Sequence, residues 1–256
     1  MTISNKKRLV IKIGSALLVQ DGKVRSAWLK SLAQDVATLR RQGKEVIIVS
    51  SGAIALGRCG IDAADNLKLA EKQASAAIGQ INLMAKYQDI FAQNDLNVAQ
   101  ILLIAEDEAD KRKFANAKNT IKTLLKNNIV PIINENDTVA TDEIKIGDND
   151  RLAAMIAKIA DADLLILLSD IDGLYDKNPK INDDAQFIAQ IDKIDSKIEK
   201  MATGSVSKVG TGGMKTKIAA AKMANQIGCE TIICNGQDNN PIARICFGGR
   251  FSIFRI

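Results

Sequence analysis

The 256-residue chain contains no histidine. That absence removes Ser-His-Asp triads, phosphohistidine chemistry and the commonest zinc ligand, so any catalysis must run on lysine, carboxylates, hydroxyls, backbone dipoles or a borrowed cation. The four cysteines, Cys59, Cys229, Cys234 and Cys246, show no CxxC spacing. This argues against a zinc site and a disulfide framework, and fits a reducing cytoplasm. Three prolines leave little room for an interdomain linker. No uncharged segment approaches the roughly 18 apolar residues of a membrane span. The opening MTISNKKRLVIKIGSALLV imitates a signal peptide, but Lys12 and Gly14 interrupt its apolar run. The net charge of +5 comes from mixed signs with no polybasic tail, a weak argument for nucleic acid.

What is present is an alternation of short apolar runs and amphipathic stretches. The runs LVIKI (9–13), VIIV (46–49), VAQILLI (98–104), IVPII (129–133), LLILL (164–168) and TIIC (231–234) are rich in β-branched residues and read as buried parallel strands. Leu29, Leu32, Ala33, Val36 and Leu39 share one face of a helix that Ser26 is placed to cap and Gly43 to end. Further helices are predicted near 67–93, 107–126, 149–160 and 213–227, and 170–212 reads as a small hairpin with loops. Strands alternating with helices predict one α/β domain over residues 1–256, a three-layer αβα sandwich around a mostly parallel open sheet. Ligands of such sheets bind beyond the carboxyl ends of the strands.

Each unusual polar motif follows a strand. VIKIGSALL puts Lys12 inside the first strand and Gly14-Ser15 just past it, where a lysine and close backbone N–H groups can meet phosphate; an edge lysine reaching for solvent is the plain alternative. VIIVSSGAIALG sets Ser50-Ser51-Gly52 before a helix, as an anion turn or a simple serine cap. GSVSKVGTGGMKTKIAAAKMA is neither a P-loop nor a dinucleotide fingerprint. It nonetheless places Lys215 and Lys217 in the first turn of a helix, where cations oppose the macrodipole unless an anion sits there. LLILLSDIDGLYDKNP ends a strand with Ser169-Asp170, either a resting place for a base or ribose or an ordinary turn. INENDTVATDEIKIGDND carries six carboxylates and fits no EF-hand frame. Asn134 and Asp137 close a strand, and Asp148, Asn149 and Asp150 open a helix, so both ends of this segment reach the functional rim.

Together and in this order, these motifs resemble the glutamate 5-kinase branch of the amino acid kinase family, over essentially the whole chain. INENDTVA with EIKIGDNDRLAA is specific to that branch, and SSGAIALG and GTGGMKTK support it. The resemblance implies transfer of the ATP γ-phosphoryl group to the side-chain carboxylate of L-glutamate, the first step of proline biosynthesis. It assigns Lys12 and Lys217 to the transferring phosphoryl group and Asp150 to ordering the lysines or the substrate. Ser51, Gly52, Asn134, Asp137, Asp148 and Asn149 would form the glutamate pocket. Gly14, Ser169, Asp170, Thr211, Gly212, Gly213, Met214, Lys215 and Thr216, with both lysines, would hold ATP. Ser169 stands where family members commonly have threonine, which keeps the hydroxyl. Mg²⁺ is expected to arrive with ATP rather than at a dedicated protein site. Residues Thr138 to Gly147 are expected to cover the pocket without a catalytic role. Many bacterial members continue into a PUA domain; none is expected here, which bears on the oligomer (dimer or tetramer) and on inhibition by L-proline. Channelling to a glutamyl phosphate reductase also follows from the resemblance. The rivals are acetylglutamate, aspartate, uridylate and carbamate kinases of the same family, and a nucleotide-sensing RNA-binding regulator.

Overall fold

The computed structural model describes residues 3–61, 67–104, 110–139, 149–202 and 213–256. From the N-terminus come β1 (Arg8–Ile13), α1 (Ser15–Leu18), β2 (Val19–Gln20), β3 (Lys23–Val24), α2 (Ser26–Arg41), β4 (Glu45–Val49) and α3 (Ala53–Gly57). Then follow α4 (Leu69–Ala92), β5 (Val98–Leu103), α5 (Lys111–Lys126) and β6 (Val130–Glu135). The second half holds α6 (Asn149–Ile159), β7 (Leu164–Ser169), β8 (Leu174–Tyr175), β9 (Phe187–Ile188), β10 (Gln190–Ile191) and α7 (Ser196–Met201). It ends with α8 (Met214–Asn225), β11 (Glu230–Asn235), α9 (Pro241–Cys246) and β12 (Phe251–Phe254).

The β-branched runs form one eight-stranded sheet in the order β10-β12-β11-β7-β1-β4-β6-β5. Six strands run parallel; β12 pairs antiparallel with β11, and β10 lies parallel to β12, so this edge runs against the rest. The predicted αβα sandwich is thus the observed one. Each strand feeds two cores because its side chains alternate between faces. Leu9, Ile11 and Ile13 of β1 pack with α2 and α4, while Val10 packs with α6 and α8. Helices therefore cover both faces, so LLILL is apolar throughout and LVIKI is apolar at every position but Lys12, because neither face meets water.

Two local expectations give way. Ser26 is the first residue of α2 rather than its cap: Arg25 takes that place, and the Ser26 hydroxyl turns back to the Val24 carbonyl. Gly43 does follow the helix in a left-handed conformation (φ 76°), the geometry that ends it. Ser51 caps nothing either; Gly52 stands at the start of α3 with φ 97°, a conformation costly for other residues. β12 and β10 went unforeseen because four and two residues are too few to carry a periodicity. The helix predicted from 107 is described from Lys111, where Asp110 accepts from the Arg112 and Lys113 amides.

Helix α4 lies unusually close to α3. A methyl group at Gly79 would overlap the Ala53 carbonyl oxygen, and one at Gly57 the Ser75 carbonyl, so the two glycines let the backbones touch. This close approach fixes how deeply α4 sits over the rim of β4 and β6. Gly79→Ala gains about 1 kcal/mol of helix propensity but forces the helices apart, and is expected to destabilise the fold by about 2 kcal/mol net, read as a lower urea midpoint at unchanged m-value.

Candidate active site

At the centre of the sheet β1 and β7 are neighbours, and the chain leaves them in opposite directions, from β1 through α2 to β4 and from β7 through α8 to β11. Such a reversal opens a crevice beyond the strand ends. Lys12 lies on the face of β1 that α6 covers, and the first turns of α6 and α8 bring Asp150 and Lys217 to the same point. The Lys12 ammonium lies 2.7 Å from Asp150 Oδ1 and the Lys217 ammonium 3.3 Å from Oδ2. The Thr216 hydroxyl lies 2.7 Å from the same Oδ2 and 2.8 Å from the Gly213 carbonyl oxygen, sharing its proton between them.

All three charged groups are buried. Burial alone would raise the Asp150 pKa, but Lys12 and Lys217, with the Thr216 hydroxyl, outweigh it and hold the carboxyl well below the ordinary range. For Lys217 burial wins: its pKa is lowered, although the Asp150 charge recovers part of the loss and Lys12 adds to it. Among the described residues, two ammonium groups against one carboxylate leave an excess positive charge in a buried site, a setting that favours an incoming anion. Asp150→Asn is expected to strand that charge and cost roughly 3 kcal/mol of stability, measurable by urea unfolding at pH 7, with the loss shrinking in the Asp150→Asn, Lys217→Met double variant.

One strand further along, the rim changes character. Asn149 Nδ2 donates to the Ser50 carbonyl (2.6 Å), the Ser51 hydroxyl (2.8 Å) and Asn134 Oδ1 (3.0 Å). Asn134 Nδ2 in turn donates to Gln80 Oε1 of α4 at 2.8 Å. The Ser50 hydroxyl and the buried Tyr87 hydroxyl lie 3.1 Å apart and anchor this turn to α4. Asn149 Oδ1 and Asp137 Oδ1 are buried acceptors without a hydrogen-bond partner among the described residues. Burial, with Glu135 adding its charge, pushes the Asp137 carboxyl up to about 7.

That shift carries a stability consequence. The folded state holds the Asp137 proton more tightly than the unfolded chain does, so this residue costs nothing below pH 4 and destabilises increasingly as pH rises through 7. Asp137→Asn is expected to raise stability by roughly 2 kcal/mol at pH 8, with the gain vanishing at pH 4, seen as converging melting temperatures on acidification.

On the other side of the lysines, beyond β7, lies a cleft. Ile171, Leu174, Tyr175, Met201 and Met214 give it apolar walls, while Ser169, Gly213 and Lys217 line its inner end. Gly213 starts α8 with no side-chain cap hydrogen bond of its own, and a helix N-terminus of this kind is a setting for anions. Asp170 pairs with Lys180 at 3.2 Å; burial would raise its pKa, but Lys180 brings it below the usual value.

A cation-rich, dry crevice between an apolar cleft and a carboxamide-lined pocket is the arrangement of a small-molecule phosphotransferase on an αβα sheet. The chain belongs to the amino acid kinase family, whose model matches residues 7–235. It is 53% identical over 247 residues to the glutamate 5-kinase of Pelagibacter ubique, covering 96% of this chain and 67% of that one. It is 49% identical over 250 residues to the glutamate 5-kinase of Paramagnetospirillum magneticum, covering 97% and 68%. The chain thus spans about two thirds of these relatives' length. Among solved structures, carbamate kinase from Giardia lamblia bound to AMP-PNP shares the fold with a TM-score of 0.67 at 15% identity, covering 98% of this chain and 99% of that one.

Of the residues singled out from sequence, Lys12, Asp150, Thr216 and Lys217 meet at one point, with Gly14, Ser169, Asp170, Gly213 and Met214 around them. Ser51, Gly52, Asn134, Asp137 and Asn149 gather one to two strands away, at the ends of β4 and β6. Lys215 is exposed on the outer side of the first turn of α8, unlike buried Lys217. Asp148, Thr211, Gly212 and most of the expected pocket cover lie outside the described residues. Gln80, Glu135 and the Met201 wall were not foreseen. Glu135 lies within the INENDTVA stretch but was not singled out, while Gln80 and Met201 fall in no motif and reach the site through the packing of α4 and α7.

Proposed function

We infer that the protein transfers the γ-phosphoryl group of ATP to the side-chain carboxylate of L-glutamate. Asp150 clamped between Lys12 and Lys217, with unmet acceptors on Asp137 and Asn149 close by, carries this reading: one half of the rim suits phosphate and the other an ammonium group. The likeness to named glutamate 5-kinases along nearly the whole chain supports it.

Glutamate's side chain has a pKa near 4.3, so the attacking oxygen is already ionised at neutral pH and no general base is needed. A histidine-free protein therefore lacks nothing the reaction requires. A carboxylate oxygen forms a bond to the γ-phosphorus while the bond to the β,γ-bridging oxygen breaks, giving ADP and an acyl phosphate. The obstacle is repulsion between two anions. Each unit-charge pair about 4 Å apart contributes roughly 4 kcal/mol at an effective dielectric near 20, and Lys12 and Lys217 reverse that balance. Asp150 holds both ammonium groups in place and favours the charged form of Lys217.

The triphosphate fits along the uncapped first turn of α8 beside Ser169, with the base in the cleft walled by Leu174, Tyr175 and Met214. Gly14, with an unstrained φ of −72° and room for a methyl group, is free of any demand from its protein neighbours, and leaves space for a phosphate at the end of β1. Both Asp150 oxygens are engaged by Lys12, Lys217 and Thr216, so Mg²⁺ fits as an ion carried by phosphate oxygens and water. When bound it neutralises phosphate charge. Residues 1–256 act as a single kinase domain in the cytoplasm, and inhibition by proline, a homo-oligomeric state and channelling to a reductase belong to the same reading.

A nucleoside monophosphate acceptor fits less well, because Asp137 and Glu135 at the acceptor end would repel a second phosphate. Hydroxylamine trapping of the acyl phosphate, with L-glutamate, ATP and Mg²⁺ present, tests the assignment; no hydroxamate, or equal product from aspartate or N-acetylglutamate, would overturn it. Lys12→Ala or Lys217→Ala is expected to lower kcat at least about 100-fold in a folded protein. Asp137→Ala or Asn149→Ala should instead raise the glutamate KM and spare that for ATP. In the unaltered enzyme kcat/KM for glutamate is expected to fall as pH drops through about 7, as Asp137 takes up its proton.

A further inference from the structure

The amide orientations around the pocket are dictated by backbone groups rather than chosen. The Ser50 carbonyl can only accept, so Asn149 must present its Nδ2 there and turn Oδ1 away. The Glu135 N–H can only donate, and it donates to Asn134 Oδ1 at 2.9 Å. Asn134 therefore offers its NH₂ to Gln80, which must answer with Oε1. Gln80 Nε2 is left pointing elsewhere: it is sealed from solvent and has no hydrogen-bond partner among the described residues. A donor shut away in this manner costs about 1–3 kcal/mol unless something accepts from it.

Gln80 and Asp137 line one cavity between α4 and the end of β6, and Asn149 is joined to Gln80 through Asn134. The pocket thus leaves two buried acceptors, Asp137 Oδ1 and Asn149 Oδ1, and one buried donor, Gln80 Nε2. An α-amino acid carries the complement, an ammonium group to donate and an α-carboxylate to accept. Strand order says which carboxylate this is. The phosphoryl lysines stand over β1, whereas Asn134 and Gln80 stand over β6, two strands away and about 10 Å along the rim. The end of the substrate that reaches Gln80 is the end remote from the reacting carboxylate.

We propose that Gln80 is a substrate-binding residue whose Nε2 donates to the α-carboxylate of the amino acid, so that a neutral carboxamide rather than a cation recognises that group. This rests on the glutamate reading above. A neutral donor suits the place: an arginine beside Asp137 would pair with the carboxylate that the substrate ammonium needs. Gln80 also holds Asn134 and through it Asn149, so its Oε1 and Nε2 serve separate ends, one protein and one ligand.

Gln80→Glu separates the two. It is isosteric and keeps an oxygen for Asn134, but sets a charged acceptor against the α-carboxylate. At pH 8 the expected result, in a folded protein, is a roughly 10- to 100-fold rise in glutamate KM with the ATP KM within about twofold. L-isoglutamine, in which the α-carboxylate is an amide while the γ-carboxylate is free to react, reads out the contact itself. The unaltered enzyme should prefer glutamate over isoglutamine, and Gln80→Glu should reverse or erase that preference because its carboxylate can accept from the amide. An unchanged glutamate KM, or equal loss for glutamate and isoglutamine, overturns the proposal and leaves Gln80 a support for Asn134. An unaltered enzyme that forms no hydroxamate from glutamate overturns instead the reading on which the proposal rests.

Discussion

Everything at the centre of this molecule answers to one buried carboxylate, Asp150, which must be met by two ammonium groups at once. Its burial would be prohibitive alone; with Lys12 and Lys217 it becomes the fixed point that joins β1, α6 and α8. Asp150 suits the first turn of α6, where the helix end is positive, but Lys217 in the first turn of α8 does not suit its own helix end. The ion pair offsets part of that conflict and an anion resolves the rest. A site assembled this way is stable enough to fold yet still short of negative charge, which is the state a phosphate-binding centre needs before its ligand arrives.

The rim is electrically divided. Over β1 and β7 it carries a surplus of positive charge; over β6 it carries Asp137, Glu135 and carboxamides. A dicarboxylic amino acid has two carboxylates and one ammonium group, and on the proposed reading this division would decide which end goes where. Reversed binding would put the ammonium beside the lysines and a carboxylate beside Asp137, two repulsions in place of two attractions. The proposed regiochemistry thus rests on the order of strands, because that order determines which helix ends and loops are neighbours. The same order separates Gln80 from the reacting phosphate by two strand spacings.

Much of this was readable in the residues and some was not, for identifiable reasons. Runs such as LVIKI and LLILL announce themselves because a strand covered on both faces must be apolar at every position. Lys12 stood out as the exception within such a run, and Lys217 as a cation at the wrong end of a helix. The Ser26 cap was misjudged, and the serine-cap alternative for the Ser50-Ser51 turn falls away, because a cap is decided by backbone torsion and Arg25 and Gly52 hold the torsions that matter. Asp150 was set apart from its acidic neighbours by the family resemblance and not by residue type alone; α6 is what turns it toward both lysines. Gln80 carries no signal in a single sequence: it sits on an alanine-rich helix, and its meaning depends on Gly57 and Gly79 letting α4 descend far enough to reach Asn134.

That dependence joins packing to recognition. Tyr87 and Gln80 lie on α4 seven residues apart, two helical turns on one face, and grip the ends of β4 and β6 through Ser50 and Asn134. With α4 held this way, the amides of Asn134 and Asn149 have one satisfied arrangement, and the unmet atoms left over are determined by it. A pocket that ends with two acceptors and a donor it cannot satisfy internally is less stable empty than a fully apolar one would be. On the proposed reading the missing partners are those of a zwitterion, and the stability forgone in the empty protein would return as affinity only to a ligand with both groups in place.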